Sequence, residues 1–96
     1  MARGEMLTVF TYDVSSNKRR RRVARILEDA ASRVQYSVFE GRMTRQKAAA
    51  VSQRVAAELD GTDSLRVYAI GRNGERRTRT YGQAVPIEPA GDFWLL

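Results

Sequence analysis

An α+β sandwich, with helices packed on one face of a small sheet, is the fold this sequence predicts. The order of local patterns carries that prediction: a β-branched and aromatic run comes first, then two stretches with apolar residues at helical spacing, with extended segments between and after them. Length agrees, since 96 residues with 43% hydrophobic content make one domain around one core. Small domains bury a modest share of their surface, so self-association is expected from the outset.

The first strand is Leu7-Thr8-Val9-Phe10-Thr11-Tyr12-Asp13-Val14. Alternation puts Leu7, Val9, Thr11 and Asp13 on one face and Thr8, Phe10, Tyr12 and Val14 on the other. Both faces carry apolar groups, so both should be covered: one by helices, the other by a second subunit. Ser15, Ser16 and Asn17 can each cap a helix, and Asn17 is the best placed. Val23, Ile26, Leu27, Ala30 and Ala31 then form an amphipathic stripe, which predicts a helix from Lys18 to Ala31. Arg33 to Arg42 is extended, either as one strand or as a short hairpin pivoting near Tyr36 and Ser37. Thr44 caps a second helix with Ala48, Val51, Val55 and Leu59 inward, closed by Asp60-Gly61. Leu65 to Ile70 alternates as a strand, Asn73-Gly74 signals a tight turn, and Arg76 to Tyr81 suits a returning strand. The chain ends on Phe93-Trp94-Leu95-Leu96, which a solvated tail would not carry.

Charge and absent residues bound the chemistry. Lys and Arg total 17 against 11 Asp and Glu, a net charge of +6, and 15 of the 17 are Arg. Such a body attracts phosphates, and guanidinium groups fork onto phosphate oxygens as ammonium groups cannot. The chain has no His and no Cys. Imidazole acid–base catalysis, thiolate nucleophiles and zinc or iron–sulfur sites built from these ligands are excluded. Disulfides are impossible, which fits the cytoplasm. The apolar run from Leu7 to Tyr12 is too short for a membrane span and lacks signal-peptide flanks, so no membrane association is expected.

Lys18-Arg19-Arg20-Arg21-Arg22, with Arg25 beyond, fills the first turns of the first helix. Exposed cations there oppose the positive end of the helix dipole, at about 0.3 to 1 kcal/mol each, and an anion held at that end reverses the sign. By helical rotation Lys18, Arg21 and Arg25 point away from the apolar stripe and suit a solvated face. Arg19, Arg20 and Arg22 are the phosphate-binding candidates. Asp13 is the sole acid of the first strand and stands at its C-terminal end. It can cap the turn or pair with Arg19 or Arg20, or it can serve as a magnesium ligand, since Mg²⁺ keeps several waters and needs only one or two carboxylates. Two Asp13 side chains meeting at a dimer axis would suffice. Tyr12, Tyr36 and Phe39 can stack on bases or join the core.

Tyr12-Asp13-Val14-Ser15, then Asn17 through Ala24, then Arg33-Val34-Gln35-Tyr36-Ser37-Val38-Phe39-Glu40-Gly41, resembles the CRISPR-associated protein two family in ordered combination. Asp63-Ser64-Leu65-Arg66-Val67-Tyr68, with Gly82 and Pro86, looks like its second half. The resemblance implies a ferredoxin-like β-α-β-β-α-β domain over residues 1–82, with Arg33 to Arg42 as a hairpin. It also implies a C-terminal extension over 83–96 with a strand crossing to the partner of a homodimer. It makes Asp13 the catalytic aspartate and the ligand of one Mg²⁺ shared by two subunits, with Arg20, Arg22, Arg33, Ser37 and Phe39 near that site. Members are similar in being described as Mg²⁺-dependent endonucleases on RNA or duplex DNA, and as the bridge between integrase dimers in spacer acquisition. A hydrolase and a DNA-holding scaffold are thus both implied. An unrelated RNA-binding ferredoxin-like module is the alternative outside that family.

Overall fold

A computed structural model of the protein describes residues 4–84, 86 and 87. Its elements are β1 (Glu5–Asp13), α1 (Asn17–Glu28), β2 (Ser32–Gln35), β3 (Val38–Thr44), α2 (Arg45–Ala56), β4 (Ser64–Ile70) and a short α3 (Arg72–Arg77). The four strands form one sheet in the order β2-β3-β1-β4. All neighbours are antiparallel, with Phe10 opposite Phe39 on one side of β1 and opposite Val67 on the other. This is the expected ferredoxin-like sandwich, and it sets Asp13 at one end of a central strand.

The alternation of β1 divides its side chains between two environments. Phe10, Tyr12 and Val14 join Val23, Ala24 and Leu27 of α1, Phe39 and Met43 of β3, and Val51 and Val55 of α2 in one core. Phe10 and Phe39 are fully buried opposite each other. Truncating either to Ala would cost about 3 to 5 kcal/mol. The other face carries Val9 and Thr11, both half-buried, beside the exposed Tyr68, with Asp13 at its end. The two-faced reading of β1 therefore holds in pattern: helices cover one face, and the other stays partly open among the described residues.

Caps place the helices. Ser16, extended and with its hydroxyl accepting from the Arg19 N–H, caps α1. Asn17 is instead the first helical residue, a correction of one position. The helix stops at Glu28, short of the expected Ala31, because the chain must turn into β2: the Ala30 and Ala31 N–H groups both donate to the Leu27 carbonyl. The turn packs against β3 at Gly41, where any Cβ would stand 3.2 Å from Ala31 Cα. Thr44 caps α2 as expected, its hydroxyl accepting from the Lys47 N–H. Arg33 to Arg42 is the hairpin, turning at Tyr36 and Ser37, with an irregularity between Arg33 and Gln35.

The returning strand expected at Arg76 to Tyr81 is overturned. Arg72–Arg77 is helical, and residues 78–81 pair with no strand among the described residues. Glu75 supplies the physical reason: it forms an ion pair with Arg42, whose side chain is nearly buried. Arg42 lies opposite Leu7, on the face away from α1 and α2, so α3 is drawn across that face rather than alongside the edge strand β4. The strand exchange expected of the C-terminal extension lies outside the described residues for 85 and 88–96.

Candidate nucleic-acid interface at the end of the first strand

Asp13 ends β1 opposite Ser64 of β4. Its carboxylate is exposed, on the open face of the sheet, and makes no hydrogen bond or ion pair among the described residues. The structural roles open to it are filled by other groups. Ser16 caps the helix, and Arg19 binds Asp63, with Nε 2.7 Å from Oδ2 and Nη2 3.3 Å from Oδ1. Asp63 also accepts from the backbone N–H groups of Ser15, at 3.1 Å, and Asp60, at 3.0 Å. Its side chain is fully buried. The Arg19 guanidinium, more than the two amides, holds the Asp63 carboxyl well below the usual carboxylate range against the opposing effect of burial, and Asp63 in turn raises Arg19. This network ties the loop after Asp13 to the loop before β4.

The arginines separate into two groups. Arg19 and Arg22 are neutralised within the fold, Arg22 lying 3.6 Å from Glu58. Arg20, Arg21 and Arg33 make no ion pair among the described residues, and they line one cavity of about 200 Å³ with Tyr12, Asn17 and Tyr36. Arg20 wraps the end of β1, donating from Nη1 to the Val14 carbonyl at 2.7 Å and the Ser15 carbonyl at 3.3 Å. Arg33 is held over the Phe39 ring, 5.1 Å from its centroid, and 5.9 Å from that of Tyr36. Its Nη2 also reaches the Tyr12 hydroxyl at 3.5 Å.

The sequence-predicted residues thus fall in distinct places. Arg20 and Arg33 converge, while Arg19 is drawn into the Asp63 network. Ser37 stands in the hairpin turn, where its carbonyl accepts from the Tyr12 N–H at 3.2 Å. Phe39 is wholly buried and acts as the platform beneath Arg33, and Tyr12 is buried too. Tyr36, 70% exposed, presents its ring to solvent. Arg21, assigned by rotation alone to a solvated face, lines the cavity; β2 rises beside that helix face, which helical periodicity does not register. Asp63 shapes the site, although the sequence marks it only as the first residue of the Asp63 to Tyr68 stretch that carries part of the resemblance, with no role attached.

Asp13 and the cavity straddle the same strand end, because Tyr12 points into the helix layer and Asp13 to the other side. Among the described residues no group of three or more acids could hold a metal ion. A metal here would rest on Asp13 of more than one chain, with water and substrate oxygen completing its shell.

The sequence pattern of the family described as CRISPR associated protein Cas2 matches residues 6–78. The CRISPR-associated endoribonuclease Cas2 of Nitratidesulfovibrio vulgaris is 35% identical over 96 residues, covering 94% of each chain. Among solved structures, a hypothetical protein from Thermus thermophilus superposes with a TM-score of 0.76 at 30% identity, covering 88% of this chain and all of that one. Streptococcus pyogenes Cas2 superposes at 0.68 with 38% identity, covering 80% and all of the two chains. With a match across most of its length and the same sandwich, the chain belongs to the CRISPR associated protein Cas2 family.

Proposed function

We propose that this protein serves CRISPR adaptation as a homodimer that binds nucleic-acid backbone beside the CRISPR integrase and cleaves phosphodiester bonds with Mg²⁺ at Asp13. The observation that carries the reading is the pairing, at one strand end, of a carboxylate and guanidinium groups that, among the described residues, have no ionic partner. Stability alone would pair them. The relative's name, an endoribonuclease, supports RNA as a substrate, and the basic surface suits duplex DNA equally.

Two copies meet on the open sheet face, where Val9, Thr11 and Tyr68 await cover and the two Asp13 side chains come together. The pair of carboxylates fits Mg²⁺, which takes hard oxygen ligands and keeps several waters. When bound, the ion supplies positive charge against the scissile phosphate and makes water a better nucleophile. Asp13 fixes its place, while Arg20 and Arg33, on the other side of the strand end, hold the flanking nucleic-acid backbone. The reading places the protein in the cytoplasm. No helix among the described residues is long and apolar enough to cross a membrane.

The test compares wild type with Asp13→Asn on RNA and on duplex DNA in Mg²⁺. The hydrolytic reading expects cleavage by wild type, none above background by the variant, and unchanged binding and melting temperature. The single carboxylate per chain favours a second reading, a scaffold without chemistry. That reading expects a wild type no more active than a mock purification. Mg²⁺-dependent cleavage by a well-folded Asp13→Asn dimer would contradict Asp13 as the essential ligand.

A further inference from the structure

We infer that the cavity between α1 and β2 is a receptor for the terminal phosphate of a nucleic-acid strand, a group distinct in chemistry from the backbone phosphates that the arginines around it attract. The inference rests on the nucleic-acid-binding reading and deepens it. Three arginines line a concavity of about 200 Å³ that no acidic residue lines among the described residues. They come from two elements, Arg20 and Arg21 from α1 and Arg33 from β2. Two are held in place before any ligand arrives: Arg20 by the Val14 and Ser15 carbonyls, Arg33 by the Phe39 ring and the Tyr12 hydroxyl. Pre-organised forks lose little freedom on binding.

Charge and shape select the end of a strand over its middle. A phosphodiester carries one negative charge and has a sugar on both sides, so it lies along a surface. A phosphomonoester carries about −1.5 to −2 charges at neutral pH, with three acceptor oxygens, and can enter a concavity end-on. Three uncompensated guanidinium groups match the dianion, and the positive end of α1 adds to the same field. Asn17 offers an amide on the same wall. Tyr36 stands 70% exposed at the rim, where the terminal base can stack on it. The cavity is too small for a duplex, so a frayed or single-stranded end is the ligand.

The measurement is fluorescence anisotropy of the full-length protein with EDTA present to prevent cleavage. Its probes are single strands of one sequence carrying a 5′-phosphate, a 3′-phosphate or hydroxyls at both ends. One monoester should bind at least about tenfold tighter than the hydroxyl strand, and whichever end does so identifies the source. Arg21→Gln, at an exposed position, should collapse that ratio to near one, and Arg33→Lys should reduce it by removing the planar fork. Equal binding of all three strands overturns the terminal-phosphate site while leaving backbone binding intact. Failure of every strand to bind overturns both.

Discussion

At the scale of single residues, two aspartates divide the labour that either could have performed. The Asp63 side chain is buried, pinned by Arg19 and two amides, and holds the loops at the end of β1. Asp13, spared that work, stays available for a ligand. Because the folded protein depresses the Asp63 carboxyl, the unfolded chain binds its proton first. The stability this contributes is fully present above the ordinary carboxylate range and is lost as pH falls through about 4 toward the lower folded value. Asp63→Asn should therefore melt below wild type at neutral pH, and the gap should shrink once pH drops below about 4. Melting curves from about pH 2 to about pH 7 check this, and a gap that grows on acidification would contradict it. Asp13 is legible in the sequence from its position at the end of a strand. Asp63 is not, because its role depends on Arg19, 44 positions away, and on a loop closure that local pattern does not encode.

Among the secondary-structure elements, caps and alternation make β1, α1 and α2 readable, while local pattern leaves Arg33 to Arg42 open between one strand and the β2–β3 hairpin. Thr44 before α2 and the two-faced β1 need only neighbouring residues to be understood. Ser16 is the N-cap of α1, and its hydroxyl is the acceptor for the Arg19 N–H at 3.2 Å. Ser16→Ala should cost about 1 kcal/mol of stability, measured by urea unfolding with an unchanged slope. A loss confined to a few tenths would move the cap to another residue. The segment after β4 departs from its local pattern for a reason outside its own sequence. Asn73-Gly74 does favour a hairpin, but the ion pair of Glu75 with Arg42 turns the chain into α3 across the sheet. Competition between a local turn preference and a distant partner is settled by the partner here.

For the molecule as a whole, a charge of +6 per chain, twice that in the proposed dimer, attracts phosphates and underlies the proposed association with nucleic acid. Composition makes this attraction readable, yet it cannot say which arginines serve it, because ion pairs form only once the fold brings acids to them. Among the described residues Arg20, Arg21 and Arg33 have no ion pair, whereas Arg19 pairs with Asp63 and Arg22 with Glu58. The most direct test of the account is the salt dependence of duplex DNA binding by two variants, each with its melting temperature recorded. Replacing Arg20, Arg21 and Arg33 together with Gln should flatten the slope of log affinity against log salt, by up to about 0.9 for each phosphate no longer neutralised. Replacing Arg19 and Arg22 with Gln should leave the slope close to that of wild type, even where it lowers stability. The reverse ranking, with the slope carried by Arg19 and Arg22, would contradict the account.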